Sequence, residues 1–154
     1  MKNKLAVSLL AALLASCATS PDSSKSGGVV ETTADGTSTA PTLHAYKQDL
    51  AQRISQVNSR HIYAERPQAL LRSIVVLKFS VDGNGNLLGS EIQRSNRDRT
   101  AESTALESLK RTTPFPKPAP HLLRHGKVDI SESWLFNNDG RFQLRSVALP
   151  QMDR

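Results

Sequence analysis

A single cysteine, Cys17, stands among 154 residues, so no intramolecular disulfide can staple this fold. Aromatic residues are scarce, at one Trp, two Tyr and four Phe, and they do not alternate with cations. A nucleic-acid surface gathers its cations on one face or interleaves them with stacking rings. Here no basic run exceeds Lys110-Arg111, and no nucleic-acid partner is expected. There is no Gly-x-Ser-x-Gly elbow, and no pair of carboxylates stands out on one element. Hydrolytic and acid–base chemistry therefore have no candidate residues, and a non-enzyme is expected. His121 and His125 have the i, i+4 spacing that zinc uses on a helix, but Pro120 and Gly126 bracket them. No Glu lies between them and no third ligand is near, whereas a metal site needs three or four. Asp82, Gly83 and Gly85 have the opening of a calcium loop, with Gln93 where its final Glu belongs. Neither metal nor cofactor is expected. No apolar run approaches the ~20 residues that cross a bilayer.

What the chain does have begins at its N-terminus. Met1-Lys2-Asn3-Lys4 is a basic head, Leu5 to Leu14 is apolar except for Ser8, and Ala15 and Ser16 are small. That order is a secretory leader, removed as a processing signal rather than folded. Leu14-Ala15-Ser16-Cys17 resembles the lipobox of bacterial lipoproteins. The resemblance implies cleavage after residue 16, acylation of the Cys17 thiol, and a mature chain that starts at Cys17. The competing readings are an ordinary signal peptide with a chance cysteine and a buried thiol in an N-terminal helix. Without Lys2 and Lys4, 18 basic residues face 14 acidic ones, a net charge of about +4.

Ala18 to Ala40 is Ser, Thr, Gly, Asp and Lys with one apolar pair, Val29-Val30. Such a stretch cannot offset its ordering entropy by burial, so residues 17–40 are expected to be the lipidated cysteine and a flexible tether, spanning ~25–29 Å. Residues 41–149 form one small domain, followed by a tail at 150–154. Leu43, Tyr46, Leu50, Ile54 and Val57 make a helical stripe behind the N-cap Thr42. Ser73–Val81 and Asn86–Gln93 are strands joined at Asp82-Gly83-Asn84-Gly85, with Leu88 and Ile92 on one side and Leu87 on the other. Arg99–Lys110 is a second helix, capped by Asp98 and ended by the prolines of 114–120. Lys127–Phe136 alternates Val128, Ile130, Trp134 and Phe136, interrupted by Glu132, and Arg141–Leu149 returns after the turn at 137–140. The expected fold is α+β, a small antiparallel sheet with two helices on one face, because each helix has one stripe to bury.

The run Phe79-Ser80-Val81-Asp82-Gly83-Asn84-Gly85-Asn86-Leu87, the small-residue helix Ala101–Leu109 and Pro114-Phe115-Pro116-Lys117-Pro118 follow in order. Together they resemble the C-terminal domain of the TonB/TolA family, over roughly residues 43–147. That family has a strand, an Asp-Gly turn, a strand, an alanine-rich helix and a Pro-Phe-Pro segment before its last strands. The resemblance implies a periplasmic domain that binds envelope proteins, such as an outer-membrane receptor or a transport component, by adding a partner strand to a sheet edge. The chain also departs from the pattern. It lacks the uncleaved transmembrane helix and the Pro-, Glu- and Lys-rich spacer of an energy transducer, and Tyr63 is followed by Ala64, with Pro67 and Ala69 further on.

These readings combine into a lipid-anchored interaction module of the cell envelope. Two or more acyl chains on Cys17 hold it stably where one would be marginal. Ala18, with no Asp after the cysteine, favours the outer membrane by the sorting rule of enterobacterial lipoproteins, with the domain facing the periplasm. The alternative is a TonB-type energy transducer that keeps its N-terminal anchor and supports receptor transport. The strand Arg141–Val147 is the expected docking edge, with Phe142 and Leu144 turned inward and Arg141, Gln143 and Arg145 turned out.

Overall fold

The computed structural model describes residues 29–152. Helix α1 (Leu43–Val57) leads through a 3-10 turn at Ser59–His61 and an irregular segment to strand β1 (Ser73–Asp82). Strand β2 (Leu87–Arg94), helix α2 (Arg99–Thr112), a 3-10 turn at Pro120–Leu122, β3 (Lys127–Phe136) and β4 (Phe142–Leu144) follow. The strands form one antiparallel sheet in the order β2-β1-β3-β4. The fold is α+β, with both helices against the same sheet face.

Local chemistry sets the elements. Thr42 Oγ1 accepts from the Ala45 amide at 3.1 Å, and Asp98 Oδ1 from the Ala101 amide at 3.1 Å, so each helix starts at a side-chain cap. The Arg72 guanidinium and these helix-start amides hold the Asp98 carboxyl below its ordinary range, the Ala101 amide contributing most. At the other end of α1, Asn58 Nδ2 donates to the carbonyls of Ile54 (2.8 Å) and Ser108 (3.2 Å), binding α1 to α2.

The core lies between the helices and the inner row Val75, Leu77, Phe79 and Val81 of β1, with Val128, Ile130, Trp134 and Phe136 of β3 beside it. Trp134 is fully buried and its Nε1 donates to Ser108 Oγ at 2.9 Å, which satisfies the ring's one polar atom. Two motifs distant in sequence meet at one end of the sheet. Gly85 has φ +84°, its carbonyl accepts from the Phe115 amide at 2.8 Å, and the Phe115 ring stacks on Phe79 at 6.0 Å. Asp82 closes the turn by accepting from the amides of Asn84 and Asn86, at 2.8 and 2.9 Å. That carboxylate is therefore spent on the turn.

Four expectations change. Residues up to Ala40 are not all tether: Ser38 and Ala40 are buried, the Ser38 amide donates to the Lys117 carbonyl at 2.8 Å, and Ser38 Oγ donates to Asp49 Oδ2 at 2.5 Å. Backbone pairing orders this stretch, a route that composition does not reveal. On β2, irregularities opposite Val76/Leu77 and Ser80/Val81 put Leu87 across from Val81 and Ile92 across from Leu77. Leu87 and Ile92 thus face the same row, and Leu88 is the extra residue, 57% exposed. Finally, the last strand covers only three residues, because the chain turns at 145–147. Leu43, placed on the α1 stripe, is exposed, while Ala51 is buried.

Candidate functional site: two unlike sheet edges

The two edge strands differ in what lies outside them. Beyond β4 runs the segment after α1. The Tyr63 amide donates to the Phe142 carbonyl at 2.9 Å, and Ile62 bridges Phe142 in parallel. The Gln68 amide donates to Asn137 Oδ1 at 3.0 Å, and by Arg72, whose amide donates to the Phe136 carbonyl at 3.0 Å, the segment has crossed to the β1 side of β3. Residues 62–68 therefore wrap this side of the sheet.

Of the residues expected to form a docking edge there, Phe142 and Leu144 are buried in the core. Gln143 does not face out. It is 7% exposed, and its Nε2 donates to the carbonyls of Tyr63 (2.6 Å) and Glu65. Arg141 is also engaged, with Nε 2.6 Å from Asp139 Oδ2 and its guanidinium 5.0 Å from the centre of the Tyr63 ring. Only Arg145 projects with no ion pair or side-chain hydrogen bond among the described residues. A strand this short, already bridged on its outer side, offers no free ladder. No periodic signal marked the covering segment, since it binds through its backbone. The glutamine in the middle of the strand was the one polar clue.

β2 is the reverse case. It runs eight residues, and no strand pairs with its outer side among the described residues. Gly89 to Ile92 is a regular stretch between the two irregularities. Glu91, Gln93 and Arg94 are exposed along it, the pattern that keeps an open edge from pairing indiscriminately.

One buried carboxylate stands apart. Glu132 lies on the inner row of β3, opposite Leu77, and is 2% exposed. Its Oε1 accepts from the Ser133 amide at 2.7 Å, Ser146 and Lys47 lie nearby, and Oε2 meets no hydrogen-bond partner within reach among the described residues. Burial raises its pKa above the ordinary carboxylate value.

Of the two histidines at i, i+4, His121 lies in the 3-10 turn with Nε2 2.9 Å from the Pro41 carbonyl, and His125 has φ +52°. Among the described residues no group of three or more His, Cys, Asp or Glu converges, and no helix is long and apolar enough to cross a membrane. Cys17 lies outside the described residues. Comparison with family models, with curated proteins and with solved structures gives no match to this chain.

Proposed function

We propose that this protein is a lipid-anchored protein–protein interaction module of the bacterial cell envelope. In this reading Cys17 carries the acyl chains, Ala18 directs the protein to the outer membrane, and the domain works in the periplasm without enzymatic activity. The observation that carries the reading is Leu14-Ala15-Ser16-Cys17 at the end of a basic-then-apolar leader. The domain behind it supplies a means of binding, a sheet with one covered and one open edge. The docking strand is reassigned from β4 to β2, where a partner's extended segment would add next to Gly89–Ile92.

Fractionation tests the anchor. Wild type is expected in the membrane fraction, labelled by radioactive palmitate, and Cys17→Ala in the soluble periplasmic fraction without label. Unchanged membrane association would overturn the anchor, and a mature N-terminus before Leu5 would favour the energy-transducer reading instead. A photo-crosslinker at Glu91 tests the edge. It is expected to trap an envelope protein that the same probe at Gln143 does not.

A further inference from the structure

On the sheet face away from the helices lies a depression of about 560 Å³, within the ~300–1,000 Å³ of typical ligand sites. We propose that it binds an acidic peptide segment of a partner protein, a carboxylate flanked by apolar side chains, clamped between Arg94 and Arg145.

The register places the clamp. Arg94 of β2 pairs with Val76 of β1, Val76 pairs with Ser133 of β3, and the Arg145 amide donates to the Ser133 carbonyl at 3.0 Å. Arg94, Val76, Ser133 and Arg145 thus form one row across the sheet. The two arginines stand three strand spacings apart, ~14 Å. Both line the depression, as does Ser133.

Three features define the ligand. First, the donors in that row are unengaged. Among the described residues neither guanidinium makes an ion pair or a hydrogen bond, and the Ser133 hydroxyl has no partner. The third arginine of the rim, Arg72, is neutralised by Asp98 at 2.8 Å, which leaves two uncompensated positive charges. Second, among the described residues no acidic side chain lines the depression. Guanidinium forks match carboxylates in bidentate geometry, so the complementary group is an anion held from both sides. Third, accessible apolar side chains stand in the lining beside the exposed Asn96 and Gln151: Leu70 is 66% exposed and Ile74 41%. A bare inorganic anion leaves that surface wet, whereas an apolar side chain next to the carboxylate covers it. A bilayer is flat and cannot enter a concavity, and this favours a peptide over an anionic lipid surface.

The site is separate from the β2 edge ladder and from Cys17, so it stands or falls apart from the lipid anchor. The test uses the full chain and a fluorescent pool of hexapeptides in which Asp or Glu alternates with Leu, Ile, Val or Phe. A matched pool with Asn and Gln for the acids, and phosphatidylglycerol vesicles, complete the set. Saturable anisotropy with the acidic pool is expected, weakened about tenfold or more by Arg94→Ala and by Arg145→Ala, as for loss of a charge-assisted hydrogen bond. The Lys variants are expected to recover only part of the binding. Both arginines are exposed, so unchanged thermal unfolding of the variants is the folding control. Equal binding of the neutral pool, no binding of the acidic pool, or vesicle binding through these arginines in place of peptide binding would each overturn the proposal.

Discussion

Gly85 and Gly36 both have left-handed backbones, at φ +84° and +83°, yet only one of them is crowded. A methyl group at Gly36 would meet nothing within 4 Å, while one at Gly85 would lie 2.1 Å from the Phe115 carbonyl oxygen. Gly36→Ala is therefore expected to cost only the conformational term, ~1–2 kcal/mol. Gly85→Ala must also push the Pro-Phe-Pro segment off the turn, and a loss of ~3 kcal/mol or more is expected. Urea unfolding of the two variants separates these values. Glu132 gives a residue-scale prediction in pH. Its carboxyl titrates above the ordinary value of 4.5 in the folded protein, so the native state holds its proton longer than the unfolded chain does. Its contribution to stability is full below the unfolded value and is lost as pH rises through the native one. Asp82, Asp98 and Asp139 are displaced downward, and their contributions run the opposite way. The difference between Glu132→Gln and wild type isolates the first effect. It is expected to be near zero at pH 4 and to favour the variant by ~1–3 kcal/mol at pH 8, the cost of an unmet buried acceptor. A difference independent of pH would refute it.

At the scale of elements, β4 depends on the segment that covers it. Gln143→Ala removes both side-chain bonds to the Tyr63 and Glu65 carbonyls and is expected to cost ~2 kcal/mol. The Tyr63 amide should then exchange with deuterium faster, while the amides of β1 keep their protection. The same contrast explains what could be read in advance. Both helices were legible because Tyr46, Leu50 and Ile54, or Ala101, Ala105 and Leu109, repeat with the helical period behind a capping Thr or Asp. β1 and β3 were legible because one face of each is buried. β2 was found but its sides were misassigned, since each bulge reverses the alternation and the one local sign of it, Gly89 inside the strand, does not say which residue is extra. The docking edge was misplaced for a related reason. Whether an edge is free depends on what lies outside it, and residues 62–68 bind through main-chain groups that every sequence possesses.

At the scale of the whole molecule, the domain begins before Pro41. Thr32 bridges Ser38 and Thr37 bridges Lys117, so the stretch just ahead of α1 is laid along the Pro-Phe-Pro connector. A chain starting at Pro41 loses these bridges, the Ser38–Asp49 bond and the burial of Ala40. It is expected to unfold ~2 kcal/mol more easily than one starting at Val29. Equal stability of the two would return residues 29–40 to the tether. The charge of the molecule is spread rather than pooled, and the uncompensated part that matters for binding is local, at Arg94 and Arg145.

The pairing of Thr37 with Lys117 also determines how the domain responds to force. A pull on the N-terminus meets the Ser38–Lys117 and Lys117–Gly36 bonds, at 2.8 and 3.0 Å, before it reaches α1. These two backbone bonds, the Ser38–Asp49 bond and the local Thr33–Thr37, Gly36–Thr33 and Thr39–Glu31 bonds hold eight residues, 31–38, as a weak link in series with a stronger body. When they part, the chain gains up to ~26–29 Å of reach at 3.3–3.6 Å per residue. Optical-tweezer traces, pulling between the N-terminus and Asn138, are expected to show this small extension as a first step well below the force that unfolds the sheet. If Cys17 holds the chain to a membrane as proposed, a partner moving away from it would stretch this segment before it strained the fold.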